Sequence, residues 1–260
     1  MNMTEMTTTY SFPLLTLEET DSTNRYLTQL CDREHVAEYT TVCADYQTAG
    51  KGQRGNTWES ERGKNLMFSF VLYPSFLAAP QQFLLSQLIA LAVKEELERQ
   101  TGGFSIKWPN DIYWEEKKIC GLLIENELSA GGIGRSIAGI GVNINQEVFR
   151  SDAPNPVSLK QITGREYDRG EILAGIMRRV KDYYEALQLA ETDACAAVAA
   201  DIAGRYANAL FRREGWHLYE DREGRFEAKL LRVERDGRFV LQDRHGQERA
   251  YLFKEVAYVL

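Results

Sequence analysis

The sequence predicts an α+β fold, a large domain of strands and helices followed by a small all-β domain. Three observations carry this. Residues 81–100 and 167–189 repeat apolar side chains at the helical period. Residues 119–128 and 135–144 are two apolar runs joined by a glycine-rich turn. After Gly215 the chain changes to short alternating segments divided by turn residues, the pattern of a small β-barrel.

Taken in order, residues 11–20 read as extended chain, and Asp21-Ser22-Thr23-Asn24 offers caps for a helix carrying Tyr26, Leu27 and Leu30. Residues 40–46 are rich in β-branched and aromatic side chains and predict a strand. Residues 47–64 are polar, hold several glycines and predict a long loop. An apolar strand at 66–73 is stopped by Pro74. In the helix at 81–100, Leu84, Leu88, Leu91 and Ala92 form one face, and Gly102-Gly103 ends it. Residues 104–108 predict a short strand stopped by Pro109. Asp168 and Glu171 have capping-box spacing ahead of the long helix at 167–189, and an alanine-rich helix follows at 194–210. Strands are predicted at 216–219, 226–234, 239–242, 250–253 and 257–260, so the large domain is assigned to residues 1–212 and the small one to 213–260.

With 260 residues, 44% of them hydrophobic, the chain can bury one large core and a satellite. No apolar run of membrane-spanning length occurs, and the N-terminal residues lack the pattern of a secretory signal. The four cysteines (Cys31, Cys43, Cys120, Cys195) are widely spaced, as in proteins of a reducing compartment, so a cytoplasmic, non-membrane protein is expected. A formal charge of −7 argues against a nucleic-acid partner, because phosphate neutralisation drives such binding.

Four groups of residues can carry chemistry. Gly50-Lys51-Gly52-Gln53-Arg54-Gly55 has the spacing of a dinucleotide fingerprint, but no helix pattern opens at the glycines, which that fingerprint requires. The loop can instead hold an anion on successive N–H groups with Lys51 and Arg54 nearby, or it can be a solvated surface loop. Trp58 beyond it either anchors the loop or lines a cavity. In Lys107-Trp108-Pro109-Asn110-Asp111, Asp111 has the hard oxygen donors that suit Mg²⁺ with phosphates, or Asn110 and Asp111 satisfy a turn. Lys118, just before an apolar strand, projects toward a site or marks a solvated strand entrance. In Gly139-Ile140-Gly141-Val142-Asn143, alternation puts Asn143 beside the two glycines, where bare backbone leaves room for a ligand or for tight packing.

Together these motifs resemble the catalytic region of biotin protein ligases. Lys107-Trp108-Pro109-Asn110-Asp111, Lys118-Ile119-Cys120-Gly121-Leu122-Leu123 and Gly139-Ile140-Gly141-Val142-Asn143 occur in the family's order. Ser22-Thr23-Asn24 and Gln47-Thr48-Ala49-Gly50 look like the family too. The resemblance implies a mixed β-sheet related to class II aminoacyl-tRNA synthetases, followed by an SH3-like barrel. It implies an ATP-dependent ligase that forms biotinyl-5'-AMP and passes biotin to a lysine of a biotin carboxyl carrier protein domain, with Mg²⁺ as the metal and homodimerisation possible. Ser22, Thr23 and Gln47 would hold the biotin ureido ring, with Asn24, Trp58 and Gly121 beside the substrate, and residues 50–55 would close over biotin and adenylate. Lys118 would touch the carboxylate and the α-phosphate, Asn110 and Asp111 would face the phosphates and the metal, and Lys51, Arg54 and Asn143 would add to the nucleotide site. Lipoate or octanoyl transfer on a related fold, and a non-enzymatic binding module, are the alternatives. Bifunctional relatives place a helix-turn-helix domain ahead of the catalytic one; only ten to fifteen residues precede the first motif here, so no operator binding is expected.

The loop departs from the family's Gly-Arg-Gly-Arg-x-Gly at Lys51, which keeps the charge, and at Gln53, which does not. Weaker retention of the adenylate is therefore expected. Gln53→Arg should slow release of the biotinyl-adenylate, measured as its off-rate; an unchanged rate would remove the role given to position 53.

Overall fold

The computed structural model describes residues 10–52, 57–151, 153–190 and 192–260. Its larger layer is a seven-stranded mixed sheet. The strands are β1 (Leu14–Leu17), β2 (Thr41–Ala44), β3 (Leu66–Leu72), β4 (Phe104–Lys107), β5 (Asp111–Trp114), β6 (Lys117–Ser129) and β7 (Gly132–Val142), in the spatial order β1-β2-β3-β7-β6-β5-β4. Only β1 and β2 run parallel; every other neighbouring pair is antiparallel. Helix α1 (Thr23–Arg33) packs on one face, against β2, β3 and β7. Helix α2 (Phe83–Glu98) covers the other face, backed by α4 (Arg169–Leu189) and α5 (Thr192–Asn208); the short α3 (Leu159–Thr163) lies before them.

Strand alternation separates the two faces. Phe68, Phe70, Ala138, Ile140, Cys120 and Leu122 bury with α2 in the main core, joined by Ile176, Val180 and Tyr184 of α4. On the opposite face Val71 and Ile137 pack with Leu27 and Val42 in a smaller cluster under α1. The remaining residues of that second face carry few apolar side chains, which leaves space beside α1.

The C-terminal strands β8 (His217–Asp221), β9 (Gly224–Val233), β10 (Phe239–Asp243), β11 (Glu248–Tyr251) and β12 (Val256–Tyr258) make a separate antiparallel sheet ordered β11-β10-β9-β8-β12. This is consistent with the SH3-like domain expected from the resemblance. The two sheets are not independent. Trp108 stacks on Phe239 with ring centroids 4.9 Å apart, and Ile106 of β4 exchanges backbone hydrogen bonds with Ala209 and Phe211.

Most elements fall within a few residues of their sequence signals, and two, β5 and the short α3, have no counterpart in the sequence reading. Residues 111–114 form β5, a strand not read from the sequence because four residues flanked by polar side chains carry too little periodicity. The strand predicted at 119–128 begins at Lys117, so Lys118 is inside it rather than ahead of it. The β6–β7 turn is tight, with Ser129 paired to Gly132.

Asp168 is the N-cap of α4, accepting hydrogen bonds from the N–H groups of Gly170 (2.6 Å) and Glu171 (3.1 Å). Asp168→Ala should lower unfolding free energy by about 1 kcal/mol, and Asp168→Asn by much less, read from urea denaturation midpoints.

Candidate active site

A cavity of about 530 Å³ opens on the face of the large sheet that α2 does not cover. Its walls come from the start of α1, the two ends of the loop at 51–57, strands β5 to β7, and the segment 253–258 of the C-terminal sheet. Of the residues singled out from sequence, Ser22, Thr23, Asn24, Gln47, Lys51, Gly52, Trp58, Asn110, Asp111, Lys118 and Gly121 all line it. Gln53, Arg54 and Gly55 lie outside the described residues.

Lys118 reaches this face through an irregularity in the sheet. Ile112 pairs with Cys120 but Tyr113 pairs with Lys118, so β6 holds one extra residue there, a β-bulge. In a regular strand Lys118 and Gly121, three apart, would point to opposite faces. With the bulge, the Lys118 Nζ comes within 3.3 Å of where a Cβ on Gly121 would stand, and it pairs with the Asp111 carboxylate at 2.8 Å. Both side chains stay partly accessible, at 32% and 22%. Asp111 is fixed because it pairs with Gly121 across β5 and β6, and the neighbouring Asn110 carbonyl accepts from the Leu122 N–H at 3.0 Å. The Lys118 backbone is held in turn by Asn155 (2.8 Å) and Val157 (2.9 Å).

The other end of the cavity is polar and neutral. The Thr23 N–H and hydroxyl both donate to Gln47 Oε1, at 2.8 and 3.2 Å, and the Ser69 hydroxyl donates to Asn24 Oδ1 at 2.6 Å and lies 2.7 Å from the Thr23 hydroxyl. Asn24 donates onward to the Leu123 carbonyl and to Glu125. Ser22 occupies the N-cap of α1, yet its hydroxyl makes no capping bond. These groups form an array of donors and acceptors about the first turn of a helix.

Trp58 joins the two ends. Its N–H donates to the Gly50 carbonyl at 3.0 Å and Lys51 bridges Thr57, which closes the loop at its base. The indole lies on the bare backbone of Gly141, where a Cβ would stand 2.5 Å from Cε2, and of Gly121, at 3.1 Å from Cζ3. A side chain at Gly141 would displace the ring, and one at Gly121 would crowd it. The glycines therefore accommodate protein atoms: Trp58 at Gly141, and Asn24 at Gly139. The Lys118 ammonium stands 5.8 Å from the Trp58 ring centre, within reach of a cation–π attraction. The Trp58 indole N–H is buried without a partner among the described residues.

Asn143 departs from expectation. It lies past the end of β7, is 3% exposed and does not line the cavity. Its amide donates to the Val157 carbonyl at 3.1 Å and accepts from Asn65 at 3.4 Å. Alternation fails to carry it to the cavity because the strand has ended, so this asparagine ties the 155–157 segment to the sheet.

Sequence reasoning gave no role to Lys107, which lies opposite Asp111 in the β4–β5 pair and shares the cavity face. Its ammonium donates to the Tyr113 hydroxyl at 2.9 Å and faces the rings of Tyr113 (4.6 Å) and Tyr258 (5.2 Å). Burial pushes its pKa below the ordinary lysine value; Asp111 opposes this, and Lys118 and Arg212 add to it. Burial, and then Asp111, push the Tyr113 phenol up to about 12, so it stays neutral. Phe253, Lys254, Val256, Ala257 and Tyr258 also border the cavity, and no local pattern announces them. Among the described residues no cluster of three or more His, Cys, Asp or Glu side chains could hold a metal alone.

Residues 16–145 match the model of the biotin/lipoate A/B protein ligase family. The chain belongs to this family. Among curated members, it is 29% identical over 233 residues to the bifunctional ligase/repressor BirA of Bacillus subtilis, covering 84% of this chain and 66% of that protein. It is 35% identical over 166 residues to the biotin–[acetyl-CoA-carboxylase] ligase of Paracoccus denitrificans, covering 60% and 67%. A solved member, the biotin protein ligase of Aquifex aeolicus in complex with biotin and ATP, superimposes with a TM-score of 0.76 at 28% identity, covering 95% of this chain and 98% of that one. The chain spans about two thirds of the length of the Bacillus BirA proteins and about half that of the Escherichia coli one. In this family member, among the described residues, no helix is long and apolar enough to cross a membrane.

The half-buried lysine Lys107 gives a pH signature. Because the folded pKa of Lys107 lies below the unfolded value of 10.5, the unfolded chain binds more protons between those two pH values, and stability gains with rising pH there. The stability of the parent chain relative to Lys107→Met should therefore increase as pH is raised through that window toward 10.5, measured by urea denaturation at several pH values. A difference that is flat or falls with pH would contradict the half-buried placement.

Proposed function

We propose that this chain is an ATP-dependent biotin–protein ligase. The observation that carries this reading is the Lys118–Asp111 pair sharing one cavity with the neutral donor–acceptor array at the α1 N-terminus and with Trp58. The substrates named for the Aquifex structure, biotin and ATP, support it, as does the activity named for the Paracoccus relative. We assign residues 1–212 to the catalytic domain and 213–260 to the C-terminal domain.

In the first step a biotin carboxylate oxygen attacks the α-phosphorus of ATP. A carboxyl–phosphorus mixed anhydride forms, the bond from α-phosphorus to the bridging oxygen breaks, and pyrophosphate leaves. Two anions about 4 Å apart repel by about 4 kcal/mol at the effective dielectric of a partly exposed site. A single ammonium at similar distances to both offsets a term of that size, and Lys118 is the group for it. Thr23, Asn24, Ser22 and Gln47 suit the biotin ureido ring, which needs a donor and an acceptor on adjacent atoms. Trp58 offers an apolar wall, Lys51 lines the cavity beside it, and residues 50–55, with Lys51 and Arg54, would close over the adenylate. Lys107 extends the positive field from Lys118 toward the C-terminal sheet, where pyrophosphate charge is best placed.

Mg²⁺ fits this cavity only as an ion carried largely by water and substrate phosphates, with Asp111 as the protein carboxylate. When bound it supplies neutralisation of phosphate charge. Asn110 serves by fixing Asp111 through its bonds to Leu122.

In the second step the amine of an acceptor lysine attacks the acyl carbon; an amide forms, AMP departs and the amine loses a proton. Presenting that amine in neutral form at pH 7 costs about 4.6 kcal/mol. Asp111 is the carboxylate beside the reacting atoms that can orient it. The name of the Paracoccus relative favours the biotin carboxyl carrier domain of acetyl-CoA carboxylase as acceptor. Biotin is favoured over lipoate because the polar end of the cavity suits a ureido ring.

Biotin should elicit exchange of label between pyrophosphate and ATP, and lipoate should not; exchange with lipoate alone would replace this reading. Lys118→Ala should slow single-turnover adenylation about 100-fold, roughly 2.7 kcal/mol, while changing the biotin Kd less than about fivefold. An unaltered single-turnover rate would remove Lys118 from the role given.

A further inference from the structure

The reading above leaves Trp108 and Tyr206 without a role, although both are bound to the segment that delivers Asp111. Trp108 is 5% exposed. Its indole N–H donates to the Gly237 carbonyl at 2.9 Å, and its ring lies on Phe239, nearly parallel at 20°. Gly237 has φ of 91° in the turn between β9 and β10, and a Cβ there would stand 2.8 Å from the Phe83 ring. That turn is thereby wedged between Trp108 and the start of α2. Phe83 packs edge-on against Tyr206 of α5 at 5.6 Å. The fully buried Tyr206 donates its hydroxyl to the Pro109 carbonyl at 3.1 Å. The dipeptide 108–109 is thus held from one side by the C-terminal sheet and from the other by α5.

We infer that Trp108 and Tyr206 are positioning residues, through which the C-terminal sheet and α5 set the place of Asp111 and, through it, of Lys118. The inference rests on the adenylation reading. The path is short. Residue 109 is followed by Asn110, whose carbonyl is bonded to Leu122, and by Asp111, paired to Gly121 in the backbone and to Lys118 in the side chain. β4 and β5 are the last two strands at their end of the sheet, where opening is easiest unless another element closes the edge. Misplacing a reacting group by a fraction of an ångström lowers rate much more than it lowers stability. The polar end of the cavity, carried by α1 and Gln47, is separate from this clamp, so ligand affinity there should be insensitive to it.

The test uses the full chain with two conservative variants. Trp108→Phe keeps a ring on Phe239 and deletes the donor to Gly237. Tyr206→Phe keeps the contact with Phe83 and deletes the donor to Pro109. Each should slow single-turnover biotin adenylation about tenfold, with the biotin Kd from calorimetry within about twofold and the thermal midpoint nearly unchanged. In an Asp111→Asn background Trp108→Phe should slow the reaction by less than about twofold, since the clamp acts through the group already removed. A full tenfold loss in that background overturns the inference, as do parent-like rates in both variants, or a parallel loss of biotin affinity and thermal stability. If Trp108→Phe does not fold, Tyr206→Phe decides alone. A parent chain with no biotin-dependent pyrophosphate exchange defeats the adenylation reading itself; a parent that exchanges, with unaffected variants, defeats only the clamp.

Discussion

An ammonium group and a carboxylate 2.8 Å apart, Lys118 and Asp111, sit on the uncovered face of a sheet whose opposite face is the hydrophobic core. The placement depends on one extra residue in β6. Without the bulge, Lys118 would point toward α2 and its charge would be stranded among apolar side chains, at a cost of several kcal/mol. With it, Ile119 and Cys120 remain fully buried while the lysine turns to the cavity. The segment 155–157 holds the bulge by accepting from and donating to the Lys118 backbone.

Around that pair the cavity is assembled from pieces far apart in sequence. Gly139 lets α1 dock against the sheet, because Asn24 occupies the space a side chain would need. Gly141 and Gly121 do the same for Trp58, which lies between the charged and neutral ends of the cavity and whose backbone N–H bonds the Gly50 carbonyl. The C-terminal sheet supplies a further wall and grips Trp108 beneath the pair. The small domain is therefore part of the site's construction. Its packing also partly buries Lys107, which places a second ammonium in the same electrostatic field as Lys118.

Much of this was legible beforehand, and the exceptions have physical causes. The amphipathic helices α2 and α4, with the Asp168 cap, follow from apolar period and capping chemistry, both local properties. The three motif segments meet in one cavity, as the family resemblance implied. β5 was missed because its four residues gain strand character from their neighbours, not from their own pattern. The resemblance implies a place for Asn143 in the nucleotide site, and alternation sets it beside the glycines, but it lies past the strand's end, bonds Val157 and Asn65, and does not line the cavity. The glycines of β7 allow either ligand room or tight packing, and the structure selects packing, with Trp58 and Asn24 filling the space.

The sequence by itself determined the fold class, most of the elements in their order, the change of architecture after Gly215, and which residue types are available for chemistry, because these depend on short-range period and composition. Only the tertiary structure decided which way Lys118 faces, that Lys107 and the segment 253–258 share its cavity, and that Trp108 is bolted to Gly237 more than a hundred residues away. Those facts depend on strand register and on contacts between distant segments. A shift of one residue in register reverses every side chain it touches, and nothing in a local stretch of sequence reveals that shift.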